Sequence, residues 1–408
     1  MTAGSRGDVA PFTGLGHGLA RGGHDVTLVT HARFASLADG LGFHALPVDP
    51  RAELESGRGR ALHRSGTGAG KLARILAMAR SLVGQLADDL LAAARAADVL
   101  LLSGSVAPLG HTIGEGLGRP TLGLHLQPLA PTREFAPPLT GSRSWGGTGN
   151  RLAGRAVNAA VDGVFAEATR ALRARLGLPP LGSRAARHTR ERLRRPVLHG
   201  FSPLVVPRPA DWRPGLEIAG YWWPHDHNTQ LPSPLREFLQ SGPAPVFFGL
   251  GSATVPDPER VGRSVVDALR AAGLRGVVQR GWAGLEVAGD DMLTVDEVPH
   301  SVLFPHMAAV VHHSGAGTTA AGLRAGVPAV PVPIQFDEGF WASRLVSLGV
   351  APRAIPLRAL TTQRLASALV RATAQPAYAR RARDLAAQIG AEDGVAPVLT
   401  ALNRLTPP

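Results

Sequence analysis

Two doubly wound α/β domains are the fold class this sequence predicts, on three observations. Short apolar, β-branched runs alternate with helical patterns from end to end, the signature of parallel strands joined by crossover helices. The chain has 408 residues, more than one core usually organises. The alternation breaks once, near Ser202–Pro232, where Pro and Trp cluster in Val206-Pro-Arg-Pro-Ala-Asp-Trp-Arg-Pro214 and Tyr221-Trp-Trp-Pro224. The expected boundaries are a first domain over 1–205, a linker over 206–232 and a second domain over 233–408, whose last helix is a candidate to cross back to the first.

Each element rests on its own pattern. In the first half the apolar, β-branched runs predict strands at Asp25–Thr30, Phe43–Val48, Asp98–Leu102, Thr121–Leu126 and Pro196–Phe201. Helical periodicity predicts Phe12–Arg21, Phe34–Leu41, Lys71–Ala96, Leu109–Leu117 and Arg151–Leu176. Two stretches read as loops: Ser56–Gly70, with five glycines, and Thr132–Asn150, rich in Pro, Gly and Ser. In the second half the strands are Pro245–Leu250, Gly276–Gln279, Met292–Val295, Ala309–His312, Pro328–Pro333 and Ala354–Pro356. The helices are Asp257–Ala272, Gly317–Ala325, Phe340–Leu348, Thr361–Arg371, Ala377–Ile389 and Gly394–Leu405.

Composition narrows the function classes. Hydrophobic residues make up 44% and charged residues 18%, enough for two cores and too few charges for long disorder. The net charge of +12 favours anionic ligands, and Lys71 is the only lysine. Aromatics are 5% and no nucleic-acid motif accompanies the arginines, so no nucleic-acid partner is expected. The run Arg184-Ala-Ala-Arg-His-Thr-Arg-Glu-Arg-Leu-Arg-Arg195 reads as a solvated face. Cysteine is absent, which removes disulfides and thiolate metal sites and fits a reducing, cytoplasmic setting. No run of apolar residues is long enough for a spanning helix, so no integral membrane segment is expected.

The most informative segment is Ala309-Val-Val-His-His-Ser-Gly-Ala-Gly-Thr-Thr-Ala-Ala-Gly-Leu-Arg-Ala-Gly326. A strand runs into a glycine turn and then a helix. Gly315 and Gly317 let backbone approach a ligand without a Cβ in the way. The helix N-terminus offers unpaired N–H groups suited to a diphosphate, with His313 beside it and Thr318 and Thr319 able to cap the helix or bond phosphate. The spacing alone supports an ordinary strand–turn–helix equally well. Downstream, Pro331-Val-Pro-Ile-Gln-Phe-Asp-Glu-Gly-Phe-Trp341 ends a strand in adjacent carboxylates, Asp337 and Glu338. These could hold sugar hydroxyls, or simply open a helix with favourable acids.

Together these segments resemble the nucleotide-sugar domain of family 1 glycosyltransferases of GT-B fold, in the subgroup of bacterial antibiotic and sterol glycosyltransferases. The subgroup pattern His-His-Gly-Gly-Ala-Gly-Thr-Thr is read here as His312-His313-Ser314-Gly315-Ala316-Gly317-Thr318-Thr319, followed by Phe336-Asp337-Glu338-Gly339-Phe340-Trp341. The resemblance implies that His313, Gly315, Gly317 and Thr318 hold the donor diphosphate and Asp337 the sugar. Glu338 replaces the usual Gln; a carboxylate accepts hydrogen bonds but donates none unless protonated. Val298-Pro299-His300 resembles the nucleobase-contacting loop, and Phe248-Gly-Leu-Gly-Ser252 the strand end whose Ser252 contacts phosphate.

Gly4-Ser5-Arg6-Gly7-Asp8-Val9-Ala10-Pro11 resembles the first loop of the same subgroup and makes Asp8 the general base; on its own Asp8 reads as a turn or cap residue. Gln127–Phe135 resembles the loop bordering the acceptor pocket. Relatives carry more apolar residues before this loop. The chain is therefore expected to hold only the tail of the first strand, with its true start upstream of Met1.

The implied activity is an inverting transfer of a hexose or deoxyhexose from a UDP- or dTDP-sugar to a hydroxyl of an apolar natural-product aglycone, with a sterol or lipid acceptor as the alternative. The nucleotide-sugar is a co-substrate; no cofactor and no metal are expected. His17, His111 and His125 lack ligand spacing, and Asp88-Asp89 and Asp290-Asp291 read as surface. A non-catalytic glycosyltransferase-like auxiliary protein would need a broken donor motif. A nicotinamide oxidoreductase would need a strand-to-helix G-x-G-x-x-G, and Gly14-Leu-Gly16 lies inside a helix pattern.

Overall fold

The computed structural model describes residues 1–47, 69–225 and 230–405, with residues 69–79 and 81 described by backbone alone. The expected loop Ser56–Gly70 therefore lies outside the described residues, save for its last two, which open a helix.

The first domain is built from α1 (Arg6–Arg21), β1 (Thr27–His31), β2 (Gly42–Leu46), α2 (Ala69–Ala94), β3 (Leu100–Ser103), α3 (Ala107–Leu117), β4 (Thr121–His125), α4 (Gly146–Arg175), α5 (Ser183–Arg192), β5 (Val197–His199) and β6 (Leu216–Ile218). β3-β4-β5-β6 form one parallel sheet and β1-β2 a parallel pair. Met1–Ala3 lie between the two: Thr2 N donates to Val29 O at 2.9 Å, Met1 N to Leu101 O at 2.8 Å, and Met1 O accepts from Ser103 N at 3.0 Å. These three residues thus hold the middle of the sheet.

The second domain contains α6 (Ser233–Gln240), β7 (Val246–Gly249), α7 (Pro258–Ala271), β8 (Gly276–Gln279), β9 (Met292–Val295), α8 (His300–Leu303), β10 (Ala309–His312), α9 (Ala316–Ala325), β11 (Ala329–Pro331), α10 (Glu338–Ser347), α11 (Thr362–Ala374), α12 (Pro376–Gly390) and α13 (Ala396–Leu405). Its sheet is parallel throughout, in the order β11-β10-β7-β8-β9. Helices cover both faces, so central strands are apolar on both sides. β7 and β10 are buried along their whole length. Val246 and Phe248 point into the core with Val265 and Leu269, while Phe247 points into the core with Phe304 and Leu323.

The structure corrects several expectations. α1 begins at Arg6 rather than Phe12, with Pro11 inside it, because Ser5 and Asp8 cap its first turn. Phe34–Leu41 forms no α-helix; a 3-10 stretch, Ala32–Ala38, replaces it. β6 pairs with β5, so the region taken as a linker from 206 still contributes an edge strand to the first sheet. Ala354–Pro356 forms no strand, although Ile355 N donates to Pro331 O at 2.8 Å beside β11.

α13 returns to the first domain. Val398 and Leu402 are buried with Val9, Phe12, Leu15 and Leu19 of α1. α1 accommodates this with glycines spaced one turn apart. A Cβ on Gly14 would stand 1.7 Å from the Trp223 carbonyl oxygen, one on Gly18 2.7 Å from Val395, and one on Gly22 2.7 Å from Leu399. Gly14 and Gly16 thus let α1 lie close to the Trp223 backbone and to Leu41.

Candidate active site

The first turn of α1 fixes Asp8. Ser5 caps the helix, and both Ser5 N (2.8 Å) and Ser5 Oγ (2.9 Å) donate to Asp8 Oδ2. Thr2 Oγ1 donates to Asp8 O at 2.8 Å. Gly4 has φ +143°, and a Cβ there would lie 2.4 Å from Asp8 Oδ2, so this turn requires glycine. Burial raises the Asp8 pKa above the usual carboxylate value; the Ser5 bonds oppose this and the Asp337 carboxylate reinforces it. The two acids therefore sense each other although one belongs to each domain.

The opposite wall is the strand–turn–helix of β10 and α9. Gly315 is the N-cap of α9 and no side chain caps it, so Thr318 lies in the first helical turn rather than at the cap. Ser314 adopts φ +69°. The His313 ring is clamped between glycines, 2.7 Å from where a Cβ on Gly251 would be and 2.6 Å from one on Gly315. Burial lowers the His313 pKa to about 4, so the ring is neutral at physiological pH. Among the described residues no protein group bonds His313 Nδ1, Ser314 Oγ or Thr319 Oγ1. Ser252 directly follows Gly251, the glycine that lies against the His313 ring. A Cβ on Gly317 would meet only Gly7 Cα, at 4.0 Å, so α9 faces the start of α1 across the cleft.

The adjacent acids have different surroundings. Trp341 Nε1 donates to Asp337 Oδ2 at 2.8 Å. Burial raises the Asp337 pKa, against hydrogen bonding from Trp341 and from the side chain of Gln127 in the first domain. Glu338 is buried, and its Oε2 accepts from Ile334 N (2.5 Å) and Gln335 N (2.8 Å). Burial pushes its pKa up to about 7. Glu338 therefore braces the loop that carries Asp337.

Residues 278–405 match the family described as Erythromycin biosynthesis protein CIII-like, C-terminal domain, and residues 1–99 the Glycosyltransferase family 28 N-terminal domain. The chain is 36% identical over 406 residues to O-mycaminosyltylonolide 6-deoxyallosyltransferase of Streptomyces fradiae, covering 97% of this chain and 94% of that one. It belongs to the family 1 glycosyltransferases. It is also 34% identical over 424 residues to sterol 3-beta-glucosyltransferase UGT80B1 of Arabidopsis thaliana, covering 100% of this chain and 68% of that protein. The chain spans 65% of a second Arabidopsis sterol 3-beta-glucosyltransferase and 27% of the Candida albicans one. The fold of the kitacinnamycin glycosyltransferase matches with TM-score 0.71 at 19% identity, covering 100% of this chain and 98% of that one. The calicheamicin glycosyltransferase CalG4 matches with TM-score 0.69 at 17% identity, covering 99% and 96%. These neighbours establish the GT-B fold.

The remaining site residues of this glycosyltransferase divide between cleft and core. Val298 is buried in the second-domain core with Leu303 and Phe304, so its backbone is what a nucleobase could meet. Arg6 pairs with Glu297 across the domains at 3.0 Å. On the acceptor side, Thr132 Oγ1 donates to Asp211 Oδ1 (2.5 Å) and Arg133 N to Asp211 Oδ2 (3.0 Å), fixing the loop after β4. His111 is buried against Thr121 Oγ1 at 2.8 Å, a packing role. Asp88 pairs with Arg175 and Asp291 with Arg270 at the surface. Among the described residues no group of three or more metal-ligating side chains occurs, and no helix is long and apolar enough to cross a membrane. Sequence reasoning missed the role of Ser5, which had a signal, the Ser-x-x-Asp spacing of a capped helix.

Proposed function

We propose that this glycosyltransferase moves a hexose or deoxyhexose from a UDP- or dTDP-sugar to a hydroxyl of an apolar natural-product aglycone, with inversion at the anomeric carbon. The observation that carries this reading is the uncapped N-terminus of α9 facing the first turn of α1, the turn that carries Asp8. Asp8 takes the proton of the acceptor hydroxyl as its oxygen attacks the anomeric carbon. The diphosphate leaves from the opposite face, so the configuration inverts. The amides opening α9 and the neutral His313 ring donate to the departing phosphate, with Ser252, Gly315, Gly317 and Thr318 around it. Asp337 holds sugar hydroxyls, and the backbone at Val298 meets the nucleobase.

The identity to plant sterol glucosyltransferases supports a second reading, a sterol acceptor. Mass spectrometry separates the two. Purified protein is incubated with UDP-glucose or dTDP-glucose and either a macrolide aglycone or a sterol. A hexose adduct on the macrolide is expected. An adduct on the sterol alone selects the second reading, and no adduct with any combination contradicts both.

A further inference from the structure

The outward face of a surface helix is normally polar and charged in both signs. The first half of α4 breaks that rule. From Phe135 to Val161 the chain has three arginines, Arg143, Arg151 and Arg155, and no acidic residue. Trp145, at the N-cap of α4, is 49% exposed, and Leu152, two turns further on, is 57% exposed. Ala156, Ala159 and Ala160 are exposed beyond them, and so are Arg143 and Arg155. Leu139, on the loop leading into α4, is 42% exposed. The acids that bracket this stretch are both engaged. Glu134 Oε1 accepts from Ala210 N at 2.6 Å, and Asp162 is buried and accepts from Arg187 Nε at 3.0 Å and 2.9 Å.

The apolar side chains are held outward. Buried Asn150 accepts from Trp145 N at 2.9 Å, and its amide donates to Ser144 Oγ (3.0 Å) and Arg133 O (3.2 Å). A Cβ on Gly149 would lie 2.8 Å from Trp145 Cβ, so glycine leaves room for the stem of the indole. The same turns rest on the loop after β4. A Cβ on Gly147 would lie 3.3 Å from Arg133 Cβ, and one on Gly154 2.9 Å from Pro131 Cβ. The face therefore adjoins the acceptor side of the first domain.

We propose that this face docks the enzyme on an anionic lipid bilayer, with Trp145 and Leu152 entering the headgroup region and Arg143 and Arg155 meeting lipid phosphates. Indole rings favour the boundary between water and hydrocarbon. Exposed apolar residues with basic neighbours and no acids are what a helix lying on an anionic membrane presents. A second copy fits the face less well. The chain carries a net charge of +12, and a two-fold contact would set these arginines against themselves. Docking brings the acceptor loop to the bilayer, where an apolar acceptor concentrates; that consequence rests on the acceptor reading above.

The test is co-sedimentation of the full chain with vesicles of phosphatidylcholine plus phosphatidylglycerol, and with vesicles of phosphatidylcholine alone. Wild type should pellet with the anionic vesicles and stay in solution with the neutral ones. An arginine near an anionic surface contributes about fivefold to binding, so Arg143→Gln with Arg155→Gln should weaken it roughly twenty- to thirtyfold. Trp145→Ser with Leu152→Ser should weaken it about tenfold or more. All four side chains are exposed, so melting temperatures should hold. Arg380→Gln with Arg383→Gln, exposed on α12 of the second domain, removes the same charge elsewhere and should have little effect. Wild type that stays in solution with anionic vesicles overturns the proposal. So does an equal loss in the α12 variant, which would assign binding to net charge alone. A dimer by light scattering that Trp145→Ser dissolves, with no vesicle binding, overturns it in favour of a second copy. Vesicle binding needs neither donor nor acceptor, so each of these failures leaves the glycosyltransfer reading standing.

Discussion

Protonated, the Asp8 carboxyl cannot take a proton from an acceptor hydroxyl. Its pKa is raised by burial and by Asp337, and restrained by Ser5. Turnover should therefore rise with pH through a value above the ordinary carboxylate range. Asp8→Asn should lower kcat roughly 10²–10⁴-fold with donor affinity little altered. Ser5→Ala removes one of the two bonds to Oδ2, so the acid limb of the kcat/KM profile should move to higher pH. A loss of helix capping alone would lower the melting temperature and leave that limb in place. Glu338 gives a stability test with a definite sign. Its folded pKa of about 7 lies above its ordinary 4.5, so the fold binds this proton more tightly than the unfolded chain does. Stability from this group is fully present below the ordinary value and is lost as pH rises toward about 7. Glu338→Gln keeps an oxygen for Ile334 N and Gln335 N and carries no charge. It should melt several degrees above wild type at pH 8, with the difference shrinking toward pH 4.5. A difference independent of pH would assign it to packing instead.

At the scale of elements, α9 carries the clearest expectation. Gly317 has open space where a Cβ would go, apart from Gly7 Cα at 4.0 Å, so packing does not require glycine there. Gly317→Ala should leave the melting temperature nearly unchanged yet weaken UDP or dTDP binding, as measured by calorimetry. His313→Ala should weaken the same binding by about 1.5–3 kcal/mol, as for a hydrogen bond to a charged group. The sequence revealed α9 and its turn because strand, glycines and helix are contiguous, each with its own local signal. α1 was harder. Gly7 and Pro11 have low helix propensity, and the capping pair Ser5 and Asp8 outweighs them only once Thr2 and His31 hold the turn, the latter accepting from Gly4 N at 2.9 Å. β6 is a three-residue strand flanked by Pro and Gly, too short for periodicity to show. For Glu338, only the fold shows that one oxygen, Oε2, is turned to the backbone of its own loop.

For the whole molecule, several contacts join the domains. Arg6–Glu297 is an exposed pair, and exposed pairs contribute little. Arg33 lies over the Trp282 ring at 5.2 Å, a second contact at the cleft rim. The α13 helix is the substantial tie, with Val398 and Leu402 buried on α1. Leu402→Ala should cost about 2–5 kcal/mol, and hydrogen exchange should show the loss in α13 and α1 before the second sheet. Uniform exchange across both domains would mean that α13 is no separate tie. The pairing it maintains sets Asp8 against Asp337, and on that opposition the proposed chemistry depends. The most direct measurement is the anomeric configuration of the product, read by proton NMR after reaction with an α-linked UDP- or dTDP-sugar, for wild type and Asp8→Asn in parallel. The proposed mechanism predicts a β-linked product from wild type, formed orders of magnitude more slowly by Asp8→Asn. An α-linked product, or a β-linked product formed equally fast without the Asp8 carboxylate, would contradict it.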